Sequence, residues 1–200
     1  MNKKFEYARN KRIAMCEKKS RRAKIIADGN EDRLCLYFFF QTLKDLDYKI
    51  YEVAEKSGYS QQLISYWKTV DDCKLSNIIK CFNSLNINLS VRLEPIQYYN
   101  PVISGPKYVI LAENIEELRK KTEENRYVAE LVKRADNLRF LAEYIHSQRL
   151  SLVEFSKKCK LSYGIIYRDF QKDDMKISLI YDIAHKTHQE VVWSIKPLSK

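Results

Sequence analysis

The stretch of sequence that decides the fold runs from residue 53 to residue 65 and reads VAEKSGYSQQLIS. Its first residues continue a short helix, and Gly58 then suits the left-handed conformation that ends many helices. Ser60 is a favourable N-cap for a second helix, in which Leu63 and Ile64 are expected to face inward. The stretch therefore predicts two short helices joined by a tight turn.

The same pattern occurs twice in the chain. Sliding the sequence by 102 residues aligns residues 36–96 with residues 138–198 without a gap. The clearest match joins DDCKLSNI at 71–78 to DDMKISLI at 173–180. The matched positions are mainly apolar and helically spaced, as expected where one core is present in two copies. We therefore predict a tandem repeat of one small domain.

Each copy is predicted to contain four helices followed by one strand. In order, the predicted elements are 32–46, 50–57, a helix after Ser60, 76–85 and the strand 88–94, and then 137–148, 152–159, a helix after Ser162, 178–186 and the strand 190–196. The strands alternate apolar and polar side chains and stop at a proline, which is typical of edge strands. Because a lone edge strand leaves backbone groups unpaired, we expect the two strands to pair into a small sheet. The predicted fold class is mainly α.

Charge and composition vary along the 200-residue chain. We predict a basic N-terminal helix or arm at 1–30, the first domain at 31–96, a linker and connecting helix at 97–135, and the second domain at 136–200. The net charge is +10, of which residues 1–30 supply +7. This balance favours an anionic partner such as nucleic acid. Since no apolar run approaches the roughly 20 residues of a membrane span, we expect no membrane partner and a cytoplasmic location.

The sequence shows no motif for catalysis, metal binding or a cofactor. It lacks the G-x-S-x-G, P-loop and H-E-x-x-H patterns, and its five scattered cysteines form no C-x-x-C pair. The paired carboxylates at 71–72 and 173–174 could serve acid chemistry or a metal. Both pairs lie just before a helix, where capping and the helix dipole account for them better. We therefore expect no enzyme, no cofactor and no metal.

Residues 53–65 resemble the DNA-binding motif of the lambda repressor/Cro-like helix-turn-helix family. That family follows the pattern LA-x-x-x-G-x-[ST]-Q-x-x-I, and this chain has Val53 at the first position and matches the fixed positions from there to Ile64. The resemblance covers residues 32–96 well, and residues 136–198 mainly through the repeat. It implies two tandem helix-turn-helix domains that bind double-stranded DNA.

The resemblance also implies which residues contact DNA, because the family's second motif helix enters the major groove. The corresponding positions are Ser60, Gln61, Gln62, Ser65, Tyr66 and Lys68 in the first copy and Ser162, Tyr163, Gly164, Tyr167, Arg168 and Lys172 in the second. Glutamine can pair bidentately with adenine N6 and N7, and a serine at a helix N-terminus can hold a phosphate. The chain departs from the family where it has Ile50 and Leu152 instead of glutamine, and Lys160 instead of the turn glycine.

Two functions are consistent with these residues. The first is a sequence-specific DNA-binding transcriptional regulator of phage or mobile-element type. Strand pairing would make its single chain a pseudo-dimer, and a homodimer is the alternative assembly. The second is an antitoxin-like protein-interaction module with weak or no DNA binding. A positive surface over the two motif helices favours DNA, whereas an apolar surface there favours a protein partner.

Ordinary structural roles compete with these functional roles. Gln61 and Gln62 also suit solvated helix positions that contact no base. The aromatic side chains near the motif suit either the core or a partner-facing surface, and for Trp67 the core is favoured; this group is Tyr66, Trp67, Tyr163 and Tyr167. Burial of each side chain decides between these alternatives.

Overall fold

The computed structural model describes residues 34–96 and 126–197, and helices dominate both ranges. The first range contains α1 (Tyr37–Asp45), α2 (Ile50–Ser57), α3 (Gln61–Val70), α4 (Leu75–Ser84) and strand β1 (Ile87–Pro95). The second contains a helical stretch over 126–134, α5 (Arg139–Ser147), α6 (Leu152–Lys158), α7 (Tyr163–Gln171), α8 (Ile177–Lys186) and strand β2 (Gln189–Pro197). The mainly α prediction is confirmed. No helix within these two ranges is long and apolar enough to span a membrane. The predicted segment 1–30 lies outside the described residues, as does most of the linker.

The second range repeats the element order of the first at a constant offset. Each of its four named helices and its strand begins 102 residues after its counterpart, and only α6 and α7 end one residue earlier. Backbone conformation follows the same offset at four pairs of positions with positive φ, which are Asp47 and Arg149, Gly58 and Lys160, Asp71 and Asp173, and Asn86 and His188. Non-glycine residues rarely adopt this conformation. The turns of the two ranges therefore have matching backbone geometry.

The buried side chains of the two ranges also correspond. Equivalent buried positions are Leu36 and Leu138, Phe39 and Leu141, Leu43 and Ile145, Val53 and Phe155, Ile64 and Ile166, Leu75 and Ile177, Ile78 and Ile180, and Phe82 and Ala184. Phe82 on α4 corresponds to an alanine in the second range, whereas Val53 on α2 corresponds to Phe155 on α6. A large side chain missing at one of these positions is thus present at the other, and cores tolerate such compensating changes best.

The sequence predicts that both residues of an apolar pair face inward on the second helix of each motif, α3 and α7. The structure confirms this for one residue of each pair. Ile64 and Ile166 are fully buried, as predicted. Leu63 and Ile165 expose 38% and 37% of their surface, so the prediction that they face inward is wrong. Neighbouring residues on an α-helix point about 100° apart, so one packed face cannot bury both members of such a pair equally.

Strands β1 and β2 are hydrogen-bonded neighbours in a two-stranded antiparallel sheet, so the predicted strand pairing is confirmed. The hydroxyls of Ser90 and Ser194 lie 2.6 Å apart on this sheet. The described residues form two compact units, of which one contains 34–89, 176–178 and 195–197, and the other 90–96, 126–175 and 179–194. Each unit thus includes part of both strands.

Two aspartates cap helices that lie far upstream in the sequence. The Asp71 carboxylate accepts hydrogen bonds from the amides of Cys35 and Leu36 at the start of α1, at 2.8 and 3.0 Å. The Asp173 carboxylate accepts three at the start of α5, from the amides of Asp136, Asn137 and Leu138. A capping role was predicted, but for the helix that follows each aspartate. Because these amides bond to a carboxylate, α1 and α5 begin later than the predicted residues 32 and 137.

The neighbouring Asp72 joins another segment of the same unit. Its buried carboxylate accepts a hydrogen bond from the amide of Ser178 at 3.1 Å and lies 3.5 Å from Nζ of Lys176. The amide of Ile177 donates to the carbonyl of Cys73 at 2.9 Å. The carboxylates at 71–72 therefore serve backbone amides and an ion pair, which accounts for them without acid chemistry.

Candidate functional site

Helix α3 is fixed by a cap at one end and by a buried side. The hydroxyl of Ser60 accepts a hydrogen bond from the amide of Leu63 at 3.2 Å, which confirms the predicted N-cap. The buried side consists of Ile64, Trp67 and Val70, spaced three residues apart. With this side packed against the core, the opposite side of α3 must face solvent.

All six predicted DNA-contacting residues of the first copy are exposed, and we call this surface the α3 face. It consists of Ser60, Gln61, Gln62, Ser65, Tyr66 and Lys68. Tyr66 is exposed, so a core role for it is excluded, whereas Trp67 is buried and packs edge-on against the Tyr59 ring with centroids 5.2 Å apart. The ammonium of Lys68 lies 5.5 Å from the centroid of the Phe40 ring. The α3 face is therefore chiefly amide and hydroxyl in character, with one cation.

The predicted residues of the second copy are likewise exposed, and we call them the α7 face. They are Ser162, Tyr163, Gly164, Tyr167, Arg168 and Lys172. Ser162 occupies the N-cap position, but its side chain makes no capping hydrogen bond, so only its position matches the prediction. The Arg168 guanidinium lies 3.3 Å from the carboxylate of Asp169, which offsets part of its charge. A core role for Tyr163 and Tyr167 is excluded by their exposure.

The α7 face contains an aromatic arrangement that sequence reasoning missed, and we call it the tyrosine stack. The Tyr163 and Tyr167 rings have centroids 5.7 Å apart at 29°, and the Tyr167 and Tyr127 rings have centroids 6.2 Å apart at 22°. The Gln171 side-chain amide donates to the Tyr127 hydroxyl at 3.0 Å, and partial burial raises the pKa of that hydroxyl. The four-residue spacing of 163, 167 and 171 was the available signal, but Tyr127 lies 36 residues upstream of its first member.

The two faces differ although their backbones correspond. At the positions of Tyr163, Gly164 and Tyr167 the first copy has Gln61, Gln62 and Ser65. Each face also borders an exposed aliphatic side chain, Leu63 on α3 and Ile165 on α7. The α3 face thus offers hydrogen-bonding groups, and the α7 face offers aromatic rings.

Cys81 and Cys159 are buried in the core. Burial raises the pKa of the Cys81 and Cys159 thiols to about 11, so both stay protonated and weakly nucleophilic near neutral pH. Within residues 34–96 and 126–197, no group of three or more His, Cys, Asp or Glu side chains is placed to hold a metal ion.

The chain was also compared with known proteins. Neither the family models, nor the curated proteins, nor the solved structures gave a match to it. The likeness to the lambda repressor/Cro-like family therefore stays a prediction drawn from residues 53–65.

Proposed function

We propose that this protein is a sequence-specific DNA-binding regulator that uses the α3 face to read base edges in the major groove of duplex DNA. The observation that supports this most directly is the outward display of Gln61, Gln62 and Ser65 on a helix anchored by its buried opposite side. Direct readout needs such preset hydrogen-bonding groups, and glutamine supplies a donor and an acceptor for adenine.

The helices around α3 support a helix-turn-helix interpretation. Helix α2 ends at Ser57 and is followed by its C-cap, Gly58, in a left-handed conformation with φ of 72°; α3 begins at Gln61, directly after its N-cap Ser60. Two short helices joined by a glycine-containing turn of three to four residues are typical of this motif. The second helix of the motif is the one that enters the major groove.

The distribution of charge suggests that different parts of the chain contact the bases and the phosphates in the proposed complex. Residues 31–96 have a net charge of −1, and Lys68 is the one cationic side chain among residues 61–70. Phosphate contacts dominate affinity for DNA and require lysine or arginine. We therefore propose that base contacts come from the α3 face, while the basic residues 1–30 supply much of the phosphate binding.

The pairing of β1 with β2 in one chain supports the proposal of an intrachain pseudo-dimer. A symmetric dimer presents two identical helices and selects a palindrome. In this chain Gln61 and Gln62 correspond to Tyr163 and Gly164. We therefore expect the preferred duplex to contain two unlike half-sites.

The test is selection of preferred duplexes from random sequence, followed by measurement of the affinity of Gln62→Ala for the selected duplexes. This variant should lose about 1–3 kcal/mol of binding free energy at one half-site, because a bidentate adenine contact is removed. Gln148→Ala is the matched control, since Gln148 is an exposed glutamine at the C-cap of α5. If Gln62→Ala keeps both the preferred sequence and the affinity, the α3 face does not read bases.

A second arm separates phosphate contacts from base contacts. Lys68→Ala and Lys172→Ala should weaken binding to all duplex sequences alike and reduce the slope of log affinity against log salt by about one unit each. Salt titration with one specific and one unrelated duplex measures both effects. Loss of affinity for the specific duplex alone would assign these lysines to base reading.

The exposed aliphatic side chains favour a second candidate function, the antitoxin-like protein-interaction module. Leu63 and Ile165 occupy equivalent positions and are both exposed, beside the exposed tyrosines of each face. Single exposed apolar side chains are ordinary, but a contiguous apolar patch is typical of protein-binding sites, and an aliphatic side chain beside exposed tyrosines is the start of such a patch. This candidate function is favoured if selection enriches no duplex sequence and Gln62→Ala binds duplex DNA as tightly as the native chain does.

A further inference from the structure

We infer that the tyrosine stack binds unpaired bases of a single-stranded nucleic acid. This inference does not depend on duplex reading by the α3 face, because it concerns other residues and a different form of nucleic acid. The relevant geometry is a run of three rings inclined by 22° and 29° to their neighbours. Two of the rings remain substantially exposed, Tyr163 at 44% and Tyr167 at 40%.

The orientation of these rings differs from that of aromatic pairs in the core. Phe39 packs edge-on against Phe82 at 87°, and Tyr59 packs edge-on against Trp67 at 77°. Edge-to-face pairs fill a core well. In the tyrosine stack each ring is instead inclined by less than 30° to its neighbour, so a further flat ring can stack in the same way on the exposed ring at the end of the series.

The repeat shows that the fold does not need these aromatic side chains. The equivalents of Tyr163, Tyr167 and Gln171 in the first copy are Gln61, Ser65 and Thr69, and α3 forms there with the same start as α7. Gly164 supports the same conclusion, because alanine would stabilise α7 more than glycine does at that position. The stack is therefore an addition to the common fold.

The stack is held in place by contacts that do not use its exposed rings. Gln171 donates to the Tyr127 hydroxyl at 3.0 Å, and Tyr127 is the less exposed ring at the inner end of the series. Tyr163 and Tyr167 lie one helical turn apart on α7, whose other side is anchored by buried Ile166 and Phe170. A preset stacking surface limits the entropy lost when a base binds.

The charge of the two helical stretches that carry the stack favours a polyanion as its occupant. Residues 126–134 and 163–172 together contain five cations and two carboxylates. The cations are Arg126, Lys133, Arg134, Arg168 and Lys172, all of which are exposed. Aromatic rings beside basic side chains are the combination with which proteins bind single strands without strict sequence preference. In a duplex the base faces are covered by their neighbours, so this chemistry favours unpaired bases.

The test uses the full chain and fluorescence anisotropy of labelled 12-nucleotide oligo-dT and oligo-rU, with a 12-base-pair duplex measured in parallel. Tyr163 is the outer ring of the series, so Tyr163→Ala should bind single strands about 5- to 140-fold more weakly, the range expected for loss of one base–ring stack. Tyr163→Phe keeps the ring and should stay within about twofold of the native chain. Comparison of oligo-dT with oligo-rU shows whether DNA or RNA is preferred.

Tyr51→Ala is the matched control, because Tyr51 is an exposed tyrosine on α2 and lies outside the α3 face and the α7 face. Circular dichroism verifies that each variant is folded, and Tyr167→Ala, which removes the middle ring of the series, provides a second variant of the stack. The inference is overturned if the alanine variants of the stack bind oligo-dT and oligo-rU as tightly as the native chain. It is also overturned if the native chain binds neither, a result that would favour a protein occupant. Insensitivity of duplex binding to Gln62→Ala would instead refute the proposed regulator and leave the single-strand result standing.

Discussion

Residues 34–96 and 126–197 form the same series of elements and present different surfaces. Their named helices and strands start at positions 102 residues apart, and their buried positions correspond. The exposed positions on the two helices do not correspond in chemistry, since α3 has amides and a hydroxyl where α7 has tyrosines and a glycine. Buried positions are constrained by packing in both copies, whereas exposed positions are free to take on separate functions.

The two copies also differ in the local signals that start and end their helices. Helix α6 begins with a complete capping box between Ser151 and Glu154, whereas the N-cap of α2 is Lys49 and only the Glu52 carboxylate bonds back, at 2.7 Å. Helix α2 in turn ends at Gly58, whose equivalent is Lys160. Each copy lacks a signal that the other has. Most helical stability in proteins comes from burying an apolar face, so either subset of signals suffices.

The largest expected effect tests the claim that the buried positions are equivalent. Ile64→Ala and Ile166→Ala should each lower the free energy of unfolding by about 2–5 kcal/mol, because both remove fully buried methyl and methylene groups. Urea denaturation monitored by circular dichroism measures the change.

The matched controls are the neighbouring residues. Leu63→Ala and Ile165→Ala remove similar side chains from positions that are 38% and 37% exposed, and each should lower the free energy of unfolding by about 1 kcal/mol or less. If Leu63→Ala destabilises as much as Ile64→Ala, the assignment of the outward side of α3 is wrong.

Much of this fold could be predicted from the sequence, because local patterns encode it. The bounds of α2 match the prediction, and both strands extend one residue beyond the predicted ends. Helical periodicity, alternation in the strands and the turn residues are local properties of the chain, and the repeat supplied each of them twice.

Features that depend on distant partners could not be predicted in this way. The late starts of α1 and α5 result from carboxylates about 35 residues away in sequence. The outward direction of Leu63 depends on the rotation of α3 against the core. The tyrosine stack depends on Tyr127, which no local pattern connects to α7. The residues predicted to contact DNA are all exposed, and their contact with DNA stays a proposal.

An intermediate effect tests whether the distant aspartates act alike in both copies. Asp173→Asn should lower the free energy of unfolding by about 1–3 kcal/mol, because the charged acceptor of three amide hydrogen bonds becomes neutral and loses one acceptor oxygen. Asparagine tolerates the left-handed backbone at this position, where φ is 46°. The loss therefore reports on capping alone. Asp71→Asn should show the same sign.

Asp136→Asn is the control for this capping effect. Asp136 lies at the start of the same helix, but its side chain is 85% exposed and its ion pair with Arg139 is a surface contact. Such pairs contribute at most about 1 kcal/mol. Equal losses in Asp136→Asn and Asp173→Asn would indicate a general effect of charge near α5, and the capping explanation would then fail.

The smallest effect concerns the turn residue that differs between the copies. Lys160 has φ of 51°, a conformation that costs a residue with a Cβ atom about 1–2 kcal/mol relative to the usual helical region. Glycine avoids this cost but loses about 0.5–1 kcal/mol more conformational entropy on folding. Lys160→Gly should therefore stabilise the chain by about 0.5–1 kcal/mol.

The reverse substitution in the first copy, Gly58→Lys, should destabilise by a similar amount. A Cβ atom built at Gly58 meets no heavy atom within 4 Å, so the expected cost is conformational and not steric. Opposite signs for the two variants, measured as shifts of the urea midpoint, would show that both turns impose the same backbone and differ only in how well the residue fits it. If Lys160→Gly destabilises instead, the lysine side chain contributes more than its backbone strain costs, and the two turns are not energetically equivalent.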